Sequence, residues 1–208
     1  MLGVNKLNRC GWADGSEMYI NYHDKEWGVP VFDDKILFEF LTLETAQAGL
    51  SWSTILKRRN NYKKAYDNYN IKKVANYSKQ KREELYNNEG IIRYKLKIDA
   101  SINNAKRILE IQNEYGSFSR YLWSFTDYKP VINKWQTLST VPAVTELSKT
   151  IAKDLKKKGF KFVGSVTIYA FLQAVGIVND HLVDCFRYQQ VIDYYSKQVK
   201  EIDYLQEI

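Results

Sequence analysis

Apolar residues recur at helical spacing along most of the chain. The clearest case is the segment from about Tyr94 to Glu114, where five apolar residues fall on one face of an α-helix. These residues are Ile98, Ile102, Ala105, Ile108 and Leu109. Few stretches show the alternation of β-branched and polar residues that is typical of half-buried strands, and the chain contains only three prolines. The pattern therefore predicts an all-α fold.

Capping residues and glycines suggest where the helices begin and end. Asp33 is the expected N-cap of a helix that runs to about Ala48 and ends at Gly49. Ser51 is the expected N-cap of a second helix, which buries Ile55, Tyr62 and Tyr66. Further helices are predicted over residues 71–77, 78–87, 94–114, 117–125, 145–158 and 165–176. Prolines and polar residues between Thr126 and Val144 predict an irregular connection, which is the best candidate for a seam.

Length and composition limit the classes of protein to consider. The chain has 208 residues, of which 45% are hydrophobic and 14% aromatic, enough for one well-filled core or two small ones without disulfides. No apolar run approaches the roughly 18 residues of a membrane span, and residues 1–9 lack the apolar region and cleavage site of a signal peptide. We therefore expect a cytosolic monomer with reduced thiols and no membrane partner.

The net charge is +7, and the basic residues are clustered. The clusters lie at residues 57–59, 63–64, 72–73, 79–82, 95–97 and 156–158. Such patches suit a polyanion such as nucleic acid. Solvated helix faces often carry similar charges, so charge alone leaves both interpretations open.

The only cysteines and histidines are Cys10, His23, His181 and Cys185, which form two pairs near opposite ends of the chain. A Cys2His2 set suits Zn²⁺, and four protein ligands leave no open position for a reactive water. His181 and Cys185 are expected to share one face of a helix, since they are four residues apart. The prediction is a structural zinc that joins the terminal segments. The alternative is inert thiols or a disulfide, with histidines that are merely hydrogen-bonded.

Glu44 interrupts the apolar stripe of the helix predicted to begin after Asp33. Leu37, Leu41, Glu44 and Ala48 follow one another at spacings of four, three and four. A buried carboxylate must find partners, become protonated, or face a cavity that holds a polar ligand. The last option predicts a pocket.

Polar and aromatic residues near Glu44 would suit a nucleobase. Gln47 and Trp52 follow it closely, and a metal-held loop could bring Tyr19, Tyr22 and Trp27 to the same wall. The alternative is a core aromatic cluster with a glutamate at the helix edge that pairs with one of the many lysines.

Residues 85–97 resemble a helix-hairpin-helix. Gly90 permits a tight turn with positive φ, which would expose consecutive backbone N–H groups and the next helix N-terminus to a phosphate. Arg93, Lys95 and Lys97 add positive charge. A glycine between two helices is also an ordinary connection, so this signal carries weight only in combination with others.

Longer motifs connect these features, in chain order from about Arg9 to Cys185. They are RCGW at 9–12, YHDKEWGVP at 22–30, QAGLSW at 47–52, GIIR at 90–93, KGFKFVG at 158–164 and VNDH at 178–181. The chain thereby resembles the 3-methyladenine DNA glycosylase I (Tag) family of helix-hairpin-helix DNA glycosylases. This resemblance implies a glycosylase-like helical fold with a structural zinc on the four Cys and His residues.

The resemblance also implies a domain organisation and roles for individual residues. Residues 1–185 would form the glycosylase domain, with two helical lobes around a DNA-binding cleft as one possible arrangement. The resemblance does not cover residues 186–208, and the helical spacing of their apolar residues predicts a helical tail. Glu44 would read the extruded base, Trp52 would stack on it and Tyr22 would line the pocket as the other expected catalytic residue, with Tyr19, Trp27 and Gln47 as additional base-binding residues. The residues expected to bind DNA are Gly90, Ile91, Ile92, Arg93, Lys95 and Lys161.

The expected activity is hydrolytic excision of 3-methyladenine from double-stranded alkylated DNA. Strand cleavage is not expected, because the place of the Schiff-base lysine of bifunctional relatives is held here by Tyr94. One alternative is a non-enzymatic zinc-stabilised DNA-binding module, which would not need Glu44. A zinc hydrolase is a third possibility, but four protein ligands argue against it.

Overall fold

The computed structural model describes residues 7–13 and 15–206, with side chains up to residue 197. Within that part of the chain, α-helices and short 3-10 turns dominate, beside one pair of two-residue parallel strands. The helices are α1 Glu17–Lys25, α2 Asp34–Gln47, α3 Trp52–Leu56, α4 Arg59–Ala65, α5 Ile71–Ala75, α6 Lys79–Asn87, α7 Lys95–Tyr115, α8 Phe118–Trp123, α9 Glu146–Lys157, α10 Ser165–Ala174 and α11 Phe186–Gln206; the strands are β1 Val131–Ile132 and β2 Val178–Asn179. The predicted all-α class is confirmed.

The predicted caps are confirmed at both ends of the Glu44 helix. The Asp33 side chain accepts a hydrogen bond from the Ile36 amide, and Ser51 accepts one from Thr54. Gly49 has φ of +81°, a left-handed conformation that favours glycine and ends the helix. The single helix predicted after Ser51 is wrong, because the chain forms two helices, α3 and α4, with a break after Leu56.

Packing divides the chain into two compact units. The first contains the N-terminal segment up to Pro30, residues Lys129–Pro142 and the chain from Leu172 onward. The second contains Val31–Tyr128 and Ala143–Phe171. Two of the boundaries fall within the connection predicted from the sequence. The tail belongs to the first unit and is helical to Gln206, whereas residues 207 and 208 lie outside the described part.

Helix α7 forms the centre of the second unit and packs against α2, α5, α6 and α8. Asp34, at the start of α2, accepts hydrogen bonds from Gln112 on α7 and from the amides of Phe118 and Ser119 at the start of α8. At the other end of α2, the Lys97 ammonium donates to the carbonyls of Ala46 and Ala48. A cation suits this position, because the carbonyls that end a helix carry partial negative charge. Helix α2 is therefore fixed at both ends.

In the first unit, the short strand pair aligns Val131 with Val178 and Ile132 with Asn179. Asp180, which follows β2 and is only 2% exposed, accepts hydrogen bonds from Asn133, Trp135 and Gln173. These bonds give Asp180 a structural role. They hold the strand pair beside the two C-terminal residues of the predicted metal site.

No helix in the described ranges combines the length and the apolar character needed to cross a lipid bilayer.

Candidate functional site

The four predicted metal ligands converge in the first unit. The ligand atoms of Cys10, His23, His181 and Cys185 all lie within 4.8 Å of one another, and all four residues are buried. His181 and Cys185 do not lie on a helix as predicted. They occupy the turn between β2 and α11, which begins only at Phe186, so the turn rather than helical spacing brings them together.

The distances between the ligand atoms fit a tetrahedral metal. The His181 Nδ1 atom lies 3.6 Å from each sulfur, and His23 Nε2 lies 3.4 Å from Cys185 Sγ. In a tetrahedral Zn²⁺ site, sulfur and nitrogen ligands are separated by about 3.6 Å. Both cysteines are free thiols, so the disulfide alternative is wrong. The donor set therefore suits a zinc-sized cation.

The protein orients both imidazole rings for such a cation. The outer nitrogen of His23, Nδ1, bonds to the Asp24 carboxylate at 2.7 Å, and Arg9 in turn donates to Asp24. The outer nitrogen of His181, Nε2, donates to the Trp27 carbonyl at 3.0 Å. Because each outer nitrogen is engaged, the inner one is left with a lone pair directed at the cluster. Burial also lowers the pKa of His181, which favours its neutral, metal-binding form.

The two thiols are electrostatically coupled. Their mutual hydrogen bond raises the pKa of Cys10 and lowers that of Cys185, so the pair tends to share one proton. A divalent cation would replace that proton and hold both sulfurs as thiolates.

Trp12 is the centre of an aromatic cluster that the sequence analysis did not single out as a site. Its ring lies 6.1 Å from Tyr19, 6.2 Å from Tyr22, 5.2 Å from His23 and 5.0 Å from Trp27. Tyr22 is buried, whereas Tyr19 and Trp27 are half-buried. The predicted aromatic residues of the first unit are thus brought together around Trp12 and a metal ligand. The sequence feature that could have indicated a role for Trp12 was its position in the RCGW motif, two residues after Cys10.

Glu44 lies on α2 in the second unit and is 5% exposed. Burial raises the pKa of its carboxyl group to about 8. Among the described residues, no hydrogen bond or ion pair reaches this carboxyl group, so the alternative in which Glu44 pairs with a lysine is wrong. The group is therefore neutral at pH 7 and keeps its hydrogen-bonding capacity unused.

Gln47 and Trp52 belong to the same part of the second unit. Gln47 is the last residue of α2, Trp52 is the first residue of α3, and both side chains are half-buried. The two helices are in contact. The structure thus places the glutamate, the amide and the indole of the prediction on two adjoining helices.

Helices α6 and α7 form a helical hairpin, but the predicted positive φ at Gly90 is wrong. Glycine is favoured there for another reason, because a Cβ atom would lie 3.0 Å from Cβ of Asn61 and from Oδ1 of Asn88, closer than ordinary van der Waals contact. The amides of Gly90, Ile91 and Ile92 donate to Asn88 and to the Tyr62 hydroxyl. They are therefore occupied rather than free.

Other groups of the hairpin remain available to an anion. The amides of Arg93, Lys95 and Leu96 find no acceptor among the described residues, and they lie at the start of α7, where a helix attracts negative charge. Arg93, Lys95 and Lys161 are exposed, whereas Ile91 is buried and Ile92 half-buried. The isoleucines therefore hold the hairpin in place, and the start of α7 is the part that can meet a phosphate.

Comparison with known proteins gives a consistent result. The methyladenine glycosylase family model matches residues 12–188. The DNA-3-methyladenine glycosylase of Haemophilus influenzae is 45% identical over 177 residues, which cover 85% of this chain and 96% of that protein. DNA-3-methyladenine glycosylase 1 of Escherichia coli K12 is 45% identical over 182 residues, or 88% of this chain and 97% of that protein.

Comparison with solved structures gives the same family as comparison with sequences. The structure of 3-methyladenine DNA glycosylase I from Staphylococcus aureus is 39% identical and aligns with a TM-score of 0.84, covering 88% of this chain and 97% of that one. The residues that the family model matches include parts of both compact units and the whole Glu44 helix. The chain therefore belongs to the methyladenine glycosylase family.

Proposed function

We propose that the protein is a DNA repair glycosylase that extrudes 3-methyladenine from alkylated double-stranded DNA and hydrolyses its glycosidic bond without cutting the strand. Two relatives that each match most of this chain are named DNA-3-methyladenine glycosylases, and one similar solved structure is described as a complex with 3-methyladenine. The observation that carries the proposal within this chain is Glu44, a buried carboxyl group without a partner among the described residues.

The substrate explains why little acid catalysis is needed. Methylation at N3 makes the purine cationic while it is still attached to the sugar, so the glycosidic bond is weak before the enzyme acts. Hydrolysis passes through an oxocarbenium-like sugar. An enzyme can then work mainly by extruding the nucleotide and binding the departing base in a dry site.

Glu44 would select and hold the damaged base. Because its pKa is raised to about 8, the free enzyme carries a neutral carboxyl group at this position. A cationic purine beside it would lower that pKa and favour a carboxylate, which accepts hydrogen bonds from the base edge. An undamaged, uncharged base could not compensate for the free-energy cost of burying the ionised Glu44 carboxylate. Glu44 therefore acts through binding and electrostatics, not as a covalent nucleophile.

Trp52 would stack on the electron-poor ring and Tyr22 would line the pocket, with Tyr19, Trp27 and Gln47 in supporting positions. Arg93 and Lys95 at the start of α7, together with Lys161, would bind the phosphates of the duplex. Gly90, Ile91 and Ile92 would contribute by holding the hairpin in place.

Cys10, His23, His181 and Cys185 would hold one zinc ion. When bound, the ion supplies a cross-link between segments near the two ends of the chain, since four protein ligands leave it no open position for substrate or water. The role is structural.

The family resemblance supports a monofunctional enzyme. It places Tyr94 where bifunctional relatives carry the lysine that attacks the sugar, with Lys95 one position away. The cytosolic location and the monomeric state stay predictions.

A chromatographic assay of bases released from methylated duplex DNA tests the proposal. The wild-type protein should release 3-methyladenine, Glu44→Gln and Trp52→Ala should release it more slowly, and Glu146→Gln, an exposed glutamate of α9, should match the wild type. If the wild type binds DNA but releases no methylated base, the protein is instead the non-enzymatic DNA-binding module.

A further inference from the structure

Phe162 is an exposed aromatic residue with a strained backbone. It lies in the connection between α9 and α10, where Phe160 and Val163 are buried at 3% and 1% exposure. Phe162 between them is 39% exposed and has φ of +56°, in the left-handed region that a bulky side chain rarely adopts. A connection that only had to close the fold would not need a large apolar residue here.

Helix α7 holds this segment in place. The buried side chain of Asn104 accepts a hydrogen bond from the Lys161 amide at 2.8 Å and donates to the Lys161 carbonyl at 3.0 Å. Asn103 donates to the Gly159 carbonyl at 2.9 Å. Phe160 stacks on Phe118, with ring centroids 6.0 Å apart. Strain that the surroundings fix so completely is typical of functional segments.

The Phe162 ring lies next to the hairpin. It meets the ring of Tyr94 edge to face, with centroids 6.5 Å apart, and Tyr94, which immediately precedes α7, is 47% exposed. Lys95 and Lys161 flank these rings in sequence, are exposed, and form no ion pair with any described residue. The result is an aromatic pair with adjacent positive charges, which is complementary to nucleic acid and not to a neutral protein surface.

We propose that Phe162, supported by Tyr94, packs against the sugars and base edges of duplex DNA beside the hairpin, while Lys95 and Lys161 contact phosphates. The inference rests on the proposed function, because it takes DNA as the substrate. An apolar contact adds affinity that salt does not screen, and it places the duplex in register at the start of α7.

Phe162→Gly removes the ring and keeps a residue that adopts positive φ freely. The probe is a fluorescently labelled undamaged duplex, and its affinity is measured by anisotropy over a series of salt concentrations. Phe162→Gly should bind about tenfold more weakly at every salt concentration, with an unchanged salt slope. Lys161→Ala should instead reduce the slope by about one. The melting temperature of Phe162→Gly should stay within about 3 °C of wild type, because relief of strain offsets the lost ring contact.

Tyr128→Gly is the matched control, because Tyr128 is 40% exposed and has φ of +58°. It should bind DNA like the wild type. If Phe162→Gly is too unstable to measure, Phe162→Asn replaces it, since asparagine tolerates left-handed φ. Wild-type affinity in the Phe162 variant, or an equal loss in Tyr128→Gly, would overturn the proposal.

The experiments can refute the proposed function and the Phe162 contact independently of each other. A wild-type protein that releases no 3-methyladenine, combined with weaker DNA binding by Phe162→Gly, would refute the glycosylase and keep the DNA contact. Normal base release by the wild type with unchanged binding by Phe162→Gly would refute only the contact.

Discussion

Glu44 in the second unit differs from the buried polar groups around the candidate metal site in the first unit in whether the protein satisfies it. In the first unit, His23 and His181 each engage their outer nitrogen, and Asp180 accepts three hydrogen bonds. In the second unit, Glu44 is equally inaccessible but has no partner among the described residues. Satisfied groups maintain a structure, whereas an unsatisfied carboxyl group costs stability and persists only where a ligand can use it. The difference supports the proposal that the first cluster is structural and that Glu44 binds the base.

Removing one metal ligand should have the largest effect. Cys185→Ser leaves three ligands, so we expect loss of bound zinc and a melting temperature lowered by more than about 10 °C. Metal content measured by mass spectrometry and thermal unfolding test this. A chelator should destabilise the wild type but not the variant, and the fraction that stays folded should retain some base release. Unchanged zinc content would contradict the ligand assignment.

The protonation of Glu44 should make stability depend on pH. Its pKa is about 8 in the folded protein against 4.5 without the fold, so between these values the folded state holds a proton that the unfolded state lacks. Stability therefore falls as pH rises through this window, by about 1.4 kcal/mol per pH unit, and the loss levels off above the folded pKa.

Denaturant unfolding at pH 5 to 8, in roughly unit steps, compares the wild type with Glu44→Gln, which lacks the titrating group. The difference in unfolding free energy between the two should change by several kcal/mol over this range. If the unfolding free energies of the two proteins change with pH in parallel, the Glu44 carboxyl group does not have the raised pKa that its burial implies.

Glu44→Gln should also slow base release by about tenfold to a hundredfold, because it removes a charged hydrogen-bond acceptor from the base. Single-turnover kinetics with methylated duplex DNA measure this. At pH 7 the same substitution should leave stability unchanged or improved, since glutamine needs no proton to be buried in neutral form. A variant that loses activity only because it unfolds would place Glu44 among the structural groups.

The smallest effect is expected for Asp24, which contacts His23 but is not one of the four predicted metal ligands. Asp24→Ala frees the outer nitrogen of His23, so metal affinity should fall about tenfold while one ion still binds. Competition with a chromophoric chelator measures the affinity, and Asp193→Ala, an exposed residue of α11, is the control. Equal affinity in both variants would show that the carboxylate contributes nothing to the cluster.

Local chemistry was predictable from the sequence. Asp33, Ser51 and Gly49 predicted the ends of helices correctly, because capping and left-handed φ depend on the residue itself and its immediate neighbours. The cluster of two Cys and two His residues was predictable because no other Cys or His exists in the chain. The absence of any other Cys or His was the reliable signal, and the spacing of the four residues was not.

Errors arose where distant segments decide a conformation. Gly90 is favoured because Asn61, which is 29 residues away, leaves little room for a side chain, and not because of its own φ. His181 and Cys185 meet through a turn whose position depends on β2 and Asp180. The central place of Trp12 follows from the convergence of several rings, which no spacing within one helix could indicate.

By itself, the sequence determined the all-α class, the four residues of the candidate metal cluster and the presence of an acidic residue on an apolar helix face, since these depend on residue type and period. Only the tertiary structure decided that Glu44 has no partner among the described residues and that Phe162 stays exposed in a strained conformation. Both facts depend on which groups from other segments come close. The free energy of a buried or strained group is set by those neighbours, and residues distant in sequence supply them.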